Sequence, residues 1–201
     1  MSRRPLERWL SEFEEALPHF DGARISLGFR RCLCASRGRL DSGGSGSKAV
    51  WAACFIRLRR MVLDLELLEH ESALRGILIH ELFHFVWVRA GNLARRNFAA
   101  LLEAESRAHA RGELGESSEA HKQIWLADPR SNARRSRPRL ATRQTASRAW
   151  REYVCESFCD TGAWLLSPGA PWPVSLSERW RRKRRQWLEG WIAEQEGGVR
   201  I

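Results

Sequence analysis

The sequence of 201 residues predicts an α+β fold, in which a small N-terminal sheet of about three strands precedes several packing helices. Three observations carry this. Between residues 24 and 68 the apolar residues alternate or run in short strand-like stretches, and from residue 72 onward they recur at the 3.6-residue helical period. The chain is 43% hydrophobic and long enough for one domain with a sizeable core, so residues 1–201 read as one unit, helix and sheet over 1–70 and helices over 71–201. No stretch approaches the roughly 18 uninterrupted apolar residues of a membrane span, and the N-terminus lacks a signal-peptide core, so a soluble cytoplasmic protein is expected.

Leu6, Trp9, Leu10, Phe13 and Leu17 fall at helical spacing and predict a first helix. "ARISLGFRRCLC" and "KAVWAACFIRLRRMVLDLEL" are rich in strand-favouring residues, and "DSGGSGS" at 41–47 predicts a flexible connection between them. Ser72 is placed to cap a helix over 72–90, in which Leu74, Ile77, Leu78, Leu82, Phe85 and Val86 form a wide apolar face, stopped by Gly91 and Asn92. A further helix is expected over about 95–111, then a short one capped by Ser117 or Ser118 and ending near Leu126. The stretch 128–145 reads as a long basic loop, followed by helices over 146–166 and about 176–195.

The predicted helix 72–90 contains "ILIHELFHFVW". Four helical residues rotate by about 400° and rise by about 6 Å, so His80 and His84 project from one face, a turn apart, where both can reach one ion. Glu81 is rotated about 100° from His80, beside such an ion rather than on it, the place for a general base acting on water. Burying two imidazoles and a carboxylate among these apolar residues costs several kcal/mol, on the order expected for unpartnered polar groups, unless each finds a partner, and a metal supplies one. Zn²⁺ is the expected cofactor.

A catalytic zinc site needs a third protein ligand and an open position. No histidine follows shortly after His84, so a carboxylate is expected, with Glu103, Glu105, Glu152 and Glu156 as candidates. In "REYVCESFCDTGAWLL", Glu156 and Asp160 are four apart on one helical face, so one can ligate while the other accepts the outward ring N–H of a ligating histidine. Glu103 is followed at that spacing by Arg107 and Glu105 by His109, so neither offers the same pair.

Over residues 72–90 and 147–166 the chain resembles the gluzincin branch of zinc metallopeptidases, in which HExxH on one helix is joined by a Glu ligand with an Asp four residues later. The resemblance implies a zincin-like layout with His80, His84 and Glu156 as metal ligands, Glu81 as general base and Asp160 as the partner of His80. It implies a zinc-dependent peptidase acting on peptide or protein substrates, with the strand at about 60–66 bordering the cleft. Cys155 and Cys159 stand where the family often has Asn and Ser, and no Tyr or His follows Tyr153 to stabilise the oxyanion, which leaves Tyr153, His109 and His121 as candidates.

Five cysteines at irregular spacing read as reduced thiols. Cys155 and Cys159 are expected to pack on a face rotated about 100° from Glu156 and Asp160, and Cys32 and Cys34 to share one side of a strand. The formal charge of +10 is carried mostly by arginines, concentrated at 130–143, with six of them and no carboxylate, and at 179–187. Arg130, Arg134, Arg135, Arg137 and Arg139 can track phosphates, so the alternative function is a non-catalytic zincin-like regulatory or nucleic-acid-binding module. A combination of the two is proteolysis of nucleic-acid-bound substrates.

Overall fold

A computed structural model of the chain describes residues 3–36, 39–42, 48–128, 147–171 and 174–201. The basic loop with Arg130, Arg134, Arg135, Arg137 and Arg139 lies outside the described residues. The chain is mixed α+β. Helix α1 (Arg3–Glu15) is followed by β1 (Phe20–Asp21), β2 (Ser26–Arg30), β3 (Leu33–Ser36), β4 (Arg39–Ser42), β5 (Lys48–Ala49), β6 (Ala52–Phe55) and β7 (Arg60–Asp64). Then come α2 (Glu71–Arg89), α3 (Gly91–Arg107), α4 (Glu116–Ala127), α5 (Arg148–Leu166), α6 (Glu178–Ala193) and the short β8 (Val199–Arg200).

The strands form more than the one sheet expected. The principal sheet has the order β2-β7-β6, with β2 parallel to β7 (Ser26↔Arg60 to Arg30↔Asp64) and β6 antiparallel to it (Ala52↔Leu63 to Phe55↔Arg60). A second antiparallel sheet has the order β4-β3-β5, and β1 pairs in parallel with β8. The expectation that residues 60–66 border a cleft is therefore corrected: β7 is flanked on both sides, and β2 and β6 are the edge strands of this sheet among the described residues. "ARISLGFRRCLC" is two strands rather than one, because Cys32 adopts a left-handed φ of 50° that breaks the run. Cys32 and Cys34 therefore do not share a strand face. Asp41 and Ser42, expected in a flexible connection, belong to β4.

The helices fall within a few residues of their expected spans. Gly91 supplies the break between α2 and α3 with a φ of 76°, a conformation only glycine takes without strain. The capping expectations need correction at two places. α2 starts at Glu71 after His70, so Ser72 lies inside its first turn, and α4 starts after Gly115 without a side-chain cap. Ser147 does cap α5, its Oγ accepting from the Trp150 N–H at 3.2 Å. No described helix is long and apolar enough to cross a membrane.

The core lies between the principal sheet and α2, and between α2 and the helices behind it, built from Leu63, Ile79, Phe83, Phe98 and Phe158. Among the described elements, no other pair packs as extensively as α2 and α5. Gly162 permits that approach: a Cβ there would fall inside the Phe83 ring, which is itself fully buried. Gly162→Ala is expected to destabilise the protein by about 1–3 kcal/mol, the usual effect of overpacking a dense core. Urea denaturation checks it, and an unchanged midpoint would show that Phe83 has room to move.

Candidate metal centre

The α2–α5 interface brings the two sequence motifs face to face. His80 and His84 stand one turn apart on α2 with ring centroids 5.0 Å apart and planes at 78°. His80 Nδ1 lies 2.7 Å from Asp160 Oδ1 on α5. A carboxylate oxygen accepts here, so Nδ1 carries a proton; Nε2 then donates when the ring is protonated and offers a lone pair when it is neutral. That Nε2 is 3.3 Å from Glu156 Oε2, and His84 Nε2 is 3.9 Å from the same oxygen. The expected ligands His80, His84 and Glu156 thus converge, and Asp160 stands where the partner of His80 was expected.

The first turn of α4 closes the arrangement, which sequence reasoning missed. Ser117 Oγ donates to Glu156 Oε2 at 2.5 Å, and the Ser118 backbone N–H donates to Asp160 Oδ2 at 2.8 Å. These are the serines expected to cap α4, so the capping residue types were legible but their partners were not. Gly115 sits so close that a Cβ there would overlap the Asp160 carboxylate.

Glu81 is buried beside the cluster, with the thiol of Cys54 on β6 hydrogen-bonded to it. Burial, followed by the charge and hydrogen bond of Glu81, pushes the Cys54 thiol well up, so it stays protonated and donates. The edge strand β6 is thereby tied to the expected general base.

Cys155 and Cys159 are not only packing residues. Their sulfurs lie 3.6 and 3.4 Å from His84 Nδ1. A hydrogen bond from Cys159 lowers Cys155 to about 6 against the opposing effect of burial, with His84 adding to the shift. Burial, reinforced by the interaction with Cys155, raises Cys159 well above the ordinary thiol range. Both pack as expected, Cys159 in the core and Cys155 against it, while a rotation of about 100° along α5 still leaves both carboxylates and both thiols on the broad side turned toward α2.

The electrostatics fit a cation. Burial alone would depress His80, but Asp160, the Glu156 contact and Glu81 outweigh it and raise it well above the ordinary imidazole value. Burial would raise Glu156, yet the hydrogen bond from His80 and the charges of both histidines bring it down to about 2. An imidazole lone pair facing a carboxylate oxygen at 3.3 Å repels it unless a positive charge lies between them. A proton on each imidazole meets that need, since His84 is raised as well, and so does a divalent cation. Two imidazoles and a carboxylate, with a buried second carboxylate behind the first imidazole, are a donor set that could hold a divalent metal ion.

Tyr153 stands elsewhere, a correction to its expected role at the oxyanion. It is 1% exposed, stacks on Trp125, and donates its hydroxyl to Glu113 Oε1 at 2.5 Å. Glu105, one of the alternative ligands, is paired with buried Arg184 at 2.6 Å, while Glu103 and Glu152 make exposed pairs with Arg107 and Arg148. Of the remaining oxyanion candidates, His109 is exposed at a left-handed φ of 54°, and His121 lies one turn beyond Ser117 with Nδ1 2.9 Å from its carbonyl oxygen. The C-terminal basic cluster is partly consumed by the fold: Arg184 is fully buried, and Arg179 and Lys183 lie over Trp180.

An open cavity of about 900 Å³ lies at the start of α2, and none of His80, Glu81, His84, Glu156 or Asp160 lines it. Its lining includes Trp51 next to β6, Ile77 one turn before Glu81, and Glu116 beside Ser117. Compared with protein-family models, curated proteins and solved structures, the chain matches none.

Proposed function

We propose that the chain is a zinc-dependent peptidase with a zincin-like site. The observation that carries this reading is the convergence of His80 Nε2 and His84 Nε2 on Glu156 Oε2, with His80 Nδ1 held by Asp160. His80, His84 and Glu156 would hold the ion. Bound zinc supplies Lewis-acid polarisation of a carbonyl and acidification of water. The remaining chemistry belongs to the chain. Glu81, buried next to His84, takes a proton from the attacking water and delivers it to the leaving amine. Asp160 fixes the tautomer of His80, and Ser117 orients Glu156. The edge of β6 offers backbone groups to an extended peptide.

Elemental analysis and a peptide-library assay test the reading together. The expected wild-type result is about one zinc per chain, as one such ligand set implies, with hydrolysis of library peptides. Glu81→Gln should keep the zinc and lose on the order of 10²–10⁴-fold in rate, the usual contribution of a general base. His84→Ala should lose the zinc. A wild-type protein without zinc after purification from metal-replete medium would end the proposal.

A further inference from the structure

Two pairs of potential ligands face each other across the α2–α5 interface with the same i, i+4 spacing: His80 with His84, and Cys155 with Cys159. Glu156 is involved in only one way of combining them. His80, His84 and Cys159 each offer a ligand atom within 4.8 Å of the others, and so do His84, Cys155 and Glu156. His84 is common to both groups and uses its two nitrogens differently. Its Nε2 faces Glu156 at 3.9 Å, and its Nδ1 faces the two sulfurs at 3.4 and 3.6 Å. Nitrogen-to-sulfur separations of this size are those of neighbouring ligands around a tetrahedral ion whose bonds are about 2.0–2.3 Å long.

We propose that the chain holds a second, overlapping ligand set of the Cys₂His₂ type, made by His80, His84, Cys155 and Cys159, which competes with Glu156 for the same ion and takes soft divalent cations such as zinc or cadmium. This rests on the proposed metal centre, since the two sets share His80 and His84. Binding sends the two thiol protons to solvent. In this form His84 Nδ1 is the ligand and its Nε2 carries the ring proton, facing Glu156 Oε2, while His80 keeps its Nδ1 proton on Asp160. Two thiolates and two neutral imidazoles balance a dication in an interface where Cys159 is fully buried. A four-ligand set leaves no open position for water, so this form is closed to hydrolysis, whereas the His₂Glu form keeps one open. Thiolate is the softer ligand and favours zinc over the harder cations that a carboxylate accepts, so the closed form competes with the His₂Glu form, from which the hydrolysis expected of the wild type comes. Modification of either thiol returns the ion to Glu156.

X-ray absorption at the zinc edge of the reduced, full-length protein reads the two forms directly. Sulfur scatterers at about 2.3 Å, in addition to nitrogen or oxygen at about 2.0–2.1 Å, are expected in the wild type. Glu156→Ala should retain its zinc and the sulfur shell. The double variant Cys155→Ser, Cys159→Ser should keep zinc but lose the sulfur shell. Cobalt substitution gives the same answer without a variant, through the intense sulfur-to-cobalt charge-transfer absorption of the wild type. One zinc per chain with nitrogen and oxygen scatterers alone would overturn the thiolate set and leave the peptidase site standing. No bound zinc would overturn both.

Discussion

Replacing Arg184 with methionine is expected to destabilise the protein by about 3–5 kcal/mol, the effect of removing one partner from a buried ion pair. Arg184 is 0% exposed and spans two carboxylates: Nε and Nη2 bind Glu105 at 2.9 and 2.6 Å, and Nη1 lies 2.8 Å from Glu113 Oε2. The Nη1 hydrogen bond is aligned on Ser157 Oγ at 2.8 Å, so the contact with Glu113 is chiefly electrostatic. Lys122 and Tyr153 complete the charge balance around Glu113. In methionine the chain volume is kept but two buried carboxylates lose their cation. For a protein of about this length the loss corresponds to roughly 6–20 °C in Tm.

The pH dependence gives a second readout. Burial would raise Glu113, but Arg184 and Lys122 hold it below the ordinary carboxylate range. A depressed folded-state value stabilises above the unfolded pKa, and the contribution is lost as pH falls through the folded one. In the variant, ionised Glu113 becomes a penalty that protonation relieves. The difference between the two proteins should therefore be largest near neutrality and shrink as pH falls toward and through the ordinary carboxylate range of about 4. Denaturant titrations at several pH values measure it. A variant as stable as the wild type at neutral pH would show that apolar packing replaces the network without loss.

The same network explains what was legible in the sequence and what was not. His80, Glu81, His84, Glu156 and Asp160 could be read because one helical period fixes their relative direction. Arg184 read as the polar side of a basic helix, because nothing local announces that Glu105 and Glu113, each more than 70 positions earlier, wait for it across the core. Tyr153 was placed correctly on α5 and given the wrong partner for the same reason: Glu113 comes from the segment before α4. Ser117 and Ser118 read as a helix start, and their contacts with Glu156 and Asp160 are long-range. Local periodicity specifies which way a side chain leaves its helix. What it meets there is set by helix packing, and here Gly162 sets it by admitting Phe83.

Asp160 is where that packing acts on the proposed chemistry, and its substitution is expected to weaken zinc binding about 10–100-fold, as loss of a carboxylate behind a ligating histidine does. Its two oxygens have different tasks: Oδ1 holds His80 Nδ1 at 2.7 Å and Oδ2 accepts the Ser118 N–H at 2.8 Å. Asp160→Asn can serve only one of them, because the amide nitrogen, itself a donor, must face either the His80 N–H or the Ser118 N–H. Asp160→Ala serves neither. Gly115→Ala leaves every polar group in place, yet its Cβ pushes into the Asp160 carboxylate and should reproduce much of the alanine effect. Zinc affinity measured by competition with a chelator should thus fall from wild type to Asp160→Asn and further to Asp160→Ala, with Gly115→Ala near the last. The comparison separates positioning from stability, since a carboxylate that merely anchored α4 would lower Tm in all three variants while leaving zinc affinity where it was.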